Sequence, residues 1–96
     1  MSTFDFLLLN KEKIYKISLK NKASNIRVFG SVARGEEKDK SDIDFLVKFD
    51  SKSTLFDKIN LSEELEELLK RKIDIISDSS IHWYLKETIL NEVKYI

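Results

Sequence analysis

Backbone freedom is concentrated at one place in this chain. Its 96 residues contain no proline and only two glycines, where about seven glycines would be usual. Both fall within Gly30-Ser31-Val32-Ala33-Arg34-Gly35. Glycine tolerates positive φ and the close approach of another group, so a loop needing two of them is one that something approaches closely. Five residues later comes Ser41-Asp42-Ile43-Asp44, and everything outside these two stretches reads as scaffold.

The length allows one continuous domain over residues 1–96, burying between ~60% and ~70% of its surface. With 42% hydrophobic and 35% charged residues, no run approaches the ~18 apolar residues of a membrane span. The apolar stretch from Phe4 to Leu9 is broken by Asp5 and follows no basic region. It does not read as a signal peptide, and the expected location is cytoplasmic. Without cysteine, any metal must be held by carboxylates or by the single His82, which favours hard, oxygen-loving cations. Seventeen basic and seventeen acidic side chains cancel, so direct nucleic-acid binding is not expected.

Phe4, Leu7 and Leu8 suit a short amphipathic turn. Asn10 suits an N-cap, with Ile14 and Ile17 on a helix ending near Lys20 to Lys22. Residues 26–29 are β-rich and stop at Gly30, and residues 32–40 read as a helical turn and an exposed loop. From Ile43 to Phe49 the apolar positions alternate, which predicts a strand with one buried face. Leu55, Phe56, Ile59, Leu61, Leu65, Leu68 and Leu69 predict a helix over 54–71, broken near Asn60. Residues 72–76 predict a third strand, with Ile73 and Ile75 on one side and Asp74 on the other. Ile81, Leu85, Ile89 and Val93 form a helical stripe before a short edge strand at 93–96, and Trp83, Tyr84 and Tyr95 are expected at the core or its edge. The sum is an α+β fold, a small mixed β-sheet covered by helices.

Asp42 and Asp44, two apart on a strand, project from one face. If the strand bearing Asp74 lies beside theirs, at ~4.8 Å, a third carboxylate comes within reach. Three such charges repel, and divalent cations resolve the conflict; a pair of Mg²⁺ ions ~3.5–4 Å apart is the usual apparatus for displacement at phosphorus. A strand ending in Gly30-Ser31 and opening a short helix presents backbone N–H groups and a hydroxyl to an anion. Phosphate beside a carboxylate metal site implies a nucleotide. Arg34 is as well suited to a local salt bridge as to phosphate, Ser41 suits a loop cap, and His82 receives no role.

Gly30-Ser31-x-Ala33-Arg34-Gly35, then Ser41-Asp42-x-Asp44, then a strand carrying Asp74, resembles the minimal nucleotidyltransferase branch of the DNA polymerase beta-like nucleotidyltransferase superfamily. The likeness runs from about Asn10 to Ile96. It implies the polymerase beta-like fold, with Gly30, Ser31, Arg34 and Ser41 at the nucleotide. It further implies Asp42 and Asp44 bridging two Mg²⁺ ions, with Asp74 completing the metal nearer the attacking hydroxyl and serving as base. Relatives have glycine where this chain has Lys22 and Lys70, at two helix ends. Several members of the family are antitoxins paired with an all-helical HEPN-domain ribonuclease toxin, and some transfer AMP from ATP to a toxin tyrosine. The expectation is therefore a metal-dependent adenylyltransferase in a hetero-oligomer with its toxin. About twenty residues follow the catalytic strands, too few for a separate acceptor domain. The rival expectations are an antitoxin that acts by binding alone, and nucleotidyl transfer to a small molecule or an RNA end.

Overall fold

Alternation of apolar residues builds the sheet, and 3.6-residue periodicity builds the helices that close one side of it. The computed structural model describes every residue except Glu37, Asp39 and Lys40, so part of the loop expected at 32–40 lies outside the described residues. The order is α1 (Thr3–Leu9), α2 (Lys11–Lys20), β1 (Ala23–Phe29), α3 (Gly30–Arg34), β2 (Ile43–Phe49), α4 (Leu55–Leu69), β3 (Ile73–Ser77), a 3₁₀ turn (Asp78–Ser80), α5 (Trp83–Glu92) and β4 (Lys94–Tyr95). The four strands lie in the order β3-β2-β1-β4. β1 runs antiparallel to β2 and β4, while β2 and β3 are parallel and joined through α4. The mixed sheet expected from the sequence is thus present, with β2 near its centre.

One face carries the main core. Ile26, Val28, Ile43, Phe45, Val47, Ile73 and Ile75 pack with Leu7, Ile14, Leu61, Leu65 and Leu69, all buried. Each such aliphatic side chain contributes about 1.5–3 kcal/mol by leaving water. The opposite face is not open, as one-sided alternation of β2 had suggested. Leu46 is fully buried there, and Arg27 beside it is 4% exposed, its guanidinium 2.9 Å from Asp78 of the 3₁₀ turn. The turn after β3 therefore folds back over the second face and supplies the anion that a buried arginine requires.

Four further expectations are corrected. β1 begins at Ala23, because Asn25 takes a left-handed conformation (φ 54°) that absorbs a register shift between Ser24 and Arg27. α4 passes through Asn60 unbroken, its start fixed by the Asp57 carboxylate accepting from the Thr54 amide at 2.8 Å, a capping interaction. Asn10 does mark the junction of α1 and α2, but its side chain donates back to the Phe6 carbonyl at 2.9 Å and so closes the end of α1. Trp83 and Tyr84 are 86% and 61% exposed, and Tyr95 is exposed too. α5 contributes no buried residue, so the stripe of Ile81, Leu85, Ile89 and Val93 covers only half-buried positions or better-exposed ones.

Lys22 and Lys70, which stand where glycine is usual in the resembling family, both have positive φ, 61° and 57°. Helix ends favour glycine there because a Cβ is strained in that region. Lys70 is exposed and its amide bonds the Glu66 carbonyl at 2.9 Å, an interaction glycine retains. Lys70→Gly is expected to raise the unfolding free energy by about 0.5–1 kcal/mol, the αL strain relieved outweighing the added chain entropy; urea titration of the two proteins measures it.

Candidate active site

The glycine loop meets β2 because β1 and β2 are paired so that Phe29, the last residue of β1, faces Asp44. Gly30 follows at φ 72° and turns the chain into α3. A Cβ at this position would overlap Asp44 Oδ2 and lie 3.2 Å from its Cγ. Glycine is therefore required twice over, by its φ and by the carboxylate packed against its α-carbon. Gly35 closes the short helix in the left-handed region at φ 70°, with open space around it.

The parallel register of β2 and β3 places Asp44 opposite Asp74, so the two carboxylates share a face at neighbouring positions. Asp42 lies one residue before β2 begins, exposed, rather than inside the strand as the sequence suggested. Its charge still reaches Asp44. Partial burial, then repulsion from Asp74 and Asp42, pushes the Asp44 carboxyl from its ordinary 3.8 up to about 6; Arg34 opposes the rise and Glu92 adds to it. Among the described residues no three histidines, aspartates or glutamates are drawn close enough to form a ready-made metal cage. Asp74 and Asp42 each repel Asp44, and carboxylate oxygen is a donor chemistry that suits Mg²⁺.

The amide of Gly30 donates to Glu92 Oε1 at 2.9 Å, and Arg34 Nη1 lies 3.1 Å from Glu92 Oε2. Arg34 also holds Glu36 through Nε at 2.9 Å. A carboxylate from the end of α5 thus sits where the sequence reading seats a phosphate, and its two partners are the loop amide and the arginine of that reading. Of the two roles weighed for Arg34, the local one is seen: it pairs with both Glu36 and Glu92. Sequence reasoning missed Glu92, a single glutamate near the C-terminal end of a helix with no motif around it.

Ser31 opens α3 half-buried, next to Gly30. Ser41 is used within its own loop: its Oγ accepts from the Lys38 amide at 2.8 Å and its carbonyl accepts from Arg71 Nε at 3.0 Å. This is the loop cap weighed from the sequence, one residue before Asp42. Arg71, also overlooked in the sequence, further contacts Thr3 Oγ1 at 3.1 Å and so ties that loop to the first helix. His82 stands at the N-terminal boundary of α5, and its ring stacks on that of Tyr84. A strand-end glycine loop whose amide holds a carboxylate, packed against Asp44, combines the donor type that suits phosphate with the oxygen ligand that suits a divalent cation.

Residues 12–96 match the family described as Polymerase beta, Nucleotidyltransferase. Protein adenylyltransferase MntA of Thermococcus cleftensis is 44% identical over 71 residues, spanning 74% of this chain and 72% of the relative. A solved structure provisionally described as a minimal nucleotidyltransferase superposes with a TM-score of 0.87 at 36% identity, covering 100% of this chain and 97% of that one. A crystal structure described as a toxin-antitoxin with AMP-PNP gives 0.75 at 26% identity, over 90% of this chain and 71% of the other.

Two outcomes are expected of the isolated protein. Because the folded state raises the Asp44 pKa, this group's contribution to stability is fully present below about pH 4 and is lost as the pH rises through about 6. Asp44→Asn removes that loss, so without metal the variant melts above wild type at pH 8 and the gap closes at pH 4. Gly30→Ala is expected to lower stability by about 1–2 kcal/mol from φ strain alone, and more from the displaced Asp44; thermal melts of both variants from pH 4 to pH 8 measure these effects.

Proposed function

The chain belongs to the polymerase beta nucleotidyltransferase family, and on that premise we propose that it transfers AMP from ATP to a hydroxyl group, that of a tyrosine, on a cognate HEPN-domain ribonuclease toxin, and so neutralises it. The observation that carries this reading is the packing of Gly30 on Asp44, with Asp44 in register with Asp74. The adenylyltransferase name of the Thermococcus relative and the AMP-PNP bound in the toxin-antitoxin neighbour support it.

The Gly30 amide, the Ser31 hydroxyl and the Arg34 guanidinium bind the triphosphate, taking over the partners now held by Glu92. Asp42, Asp44 and Asp74 are the residues that would hold Mg²⁺, two ions in this reading; the repulsion that lifts Asp44 is the cost a cation relieves. When bound, the metal supplies neutralisation of the charge that develops on the phosphate oxygens. Asp74, on the outer strand, accepts the proton of the incoming hydroxyl. The hydroxyl oxygen then bonds to the α-phosphorus, the bond from that phosphorus to the oxygen bridging to the β-phosphate breaks, and pyrophosphate leaves. Orientation of the two reactants and preorganised charge account for the rate.

Neutralisation by binding alone is the second reading, favoured by the exposed Trp83 and Tyr84 on a helix that buries nothing. One experiment separates the two. Purified protein, toxin, ATP and Mg²⁺ are expected to give toxin carrying added AMP by intact-mass measurement. Asp44→Asn is expected to lower the rate by a factor of about 10² or more, as removal of a charge-stabilising group does. Equal modification by the variant rejects the mechanism, and full growth rescue by an inactive variant favours the binding reading.

A further inference from the structure

A cleft of about 340 Å³ opens beside Asp74, between the outer strand β3 and the first half of α4. Leu55, Ile59, Ile73 and Ile75 supply its apolar lining, and Asp74 lies at its rim. Leu55 is 70% exposed and Phe56, next to it, 76%. Apolar residues this open, at the start of a helix, do not contribute to the core.

Among the described residues β3 pairs only with β2, so its other edge carries backbone groups that no described strand satisfies. Side chains of α4 serve the first of them: the Ile73 amide donates to Glu66 Oε1 at 3.3 Å, and its carbonyl accepts from Ser62 Oγ at 3.4 Å. Within a strand the amide and carbonyl of residues two apart point the same way. Those of Ile75 therefore face the cleft, and among the described residues no side chain bonds them as Ser62 and Glu66 bond Ile73.

We propose that this cleft is the acceptor site: an extended segment of the acceptor protein adds to β3 as a further strand, pairing with the backbone of Ile75. Neighbouring positions on adjacent strands share a face, and successive side chains alternate between faces. The acceptor residue opposite Asp74 then projects on the face of the three aspartates, ~5 Å from Asp74. Its two neighbours project to the other face, over Leu55 and Ile59. The segment recognised is thus a hydroxyl-bearing residue, tyrosine, between two apolar residues, in an extended conformation. Main-chain pairing supplies affinity and the alternating pockets supply specificity. The cleft holds one or two side chains rather than a folded surface, which fits a short segment. The inference rests on the adenylyl-transfer reading for its chemistry, while the binding it requires is measured without any transfer.

The probe is a fluorescein-labelled heptapeptide, Ser-Ser-Val-Tyr-Val-Ser-Ser, titrated by anisotropy into the full chain with Mg²⁺ and a non-hydrolysable ATP analogue. Binding is expected, together with slowed amide hydrogen exchange at Ile75. Exchange of both valines for aspartate, methylation of both valine amides, or Ile59→Glu is each expected to weaken binding about tenfold or more, the equivalent of one lost hydrogen bond or apolar contact. Leu55→Lys serves as a second, more exposed variant. Affinity for the ATP analogue is expected to stay within about twofold in both variants, below the factor that one lost contact gives. No binding of the heptapeptide, indifference to the flanking residues and amide methylation, or a loss of nucleotide affinity in Ile59→Glu each overturns the proposal, the last by giving the cleft to the nucleotide. Peptide bound as expected but toxin never adenylylated rejects the catalytic reading and keeps the strand-addition site; toxin adenylylated equally by Ile59→Glu does the reverse.

Discussion

The fold holds like charges together, and most of its local features answer to that. Asp44 and Asp74 stand opposite one another on parallel strands, with Asp42 just ahead of them. Two carboxylates ~5 Å apart repel by about 3 kcal/mol at an effective dielectric of about 20. Burial of one or two aliphatic side chains offsets that, and β2 has Ile43, Phe45 and Val47 on its core face and Leu46 behind them, all buried. The strand is pinned by packing along its length, so the charged end is held in place. Partial burial first, and the charges of Asp74 and Asp42 after it, push the Asp44 carboxyl up to about 6.

Around this set the protein supplies compensating groups. Arg34 lies close enough to lower the Asp44 pKa and at the same time pairs with Glu92. Glu92 reaches the loop only because α5 is carried back across the sheet by the 3₁₀ turn, which is fastened by the buried ion pair of Arg27 and Asp78. Arg71 anchors the approach to Asp42 from below, through the Ser41 carbonyl and Thr3. The loop, the aspartates and the last helix thus form one electrostatic unit assembled from elements far apart in sequence.

The second face of the sheet is where reading the sequence failed, for a reason visible in particular residues. An arginine within a strand reads as exposed, because burying it alone is costly; Asp78 removes that cost from fifty-one residues away, and no local pattern announces the pairing. Trp83 and Tyr84 failed in the opposite sense. Aromatic residues are usually buried, but α5 is half-buried only at Ile89 and Glu92, toward its C-terminal end, and Trp83 and Tyr84 at its start stay exposed. The helix ends at Lys22 and Lys70 are a third case, since lysine gives no hint of the left-handed backbone that tertiary packing imposes on it.

By itself the sequence determined the pieces of the site: two glycines in one loop, an aspartate pair where a strand begins, a third aspartate on a later one, and strands and helices of the correct kind in the correct order. Short-range periodicity and the scarcity of glycine are properties of the chain that need no partner to be read. Only the tertiary structure decided that Asp44 faces Asp74, that Gly30 must lack a side chain because Asp44 occupies its space, and that Glu92 binds the Gly30 amide and Arg34. It alone left the Ile75 edge and the α4 cleft open beside Asp74. Those facts depend on register and on long-range packing, where the energy of one contact is set by residues thirty to sixty positions away, and no stretch of sequence carries that information alone.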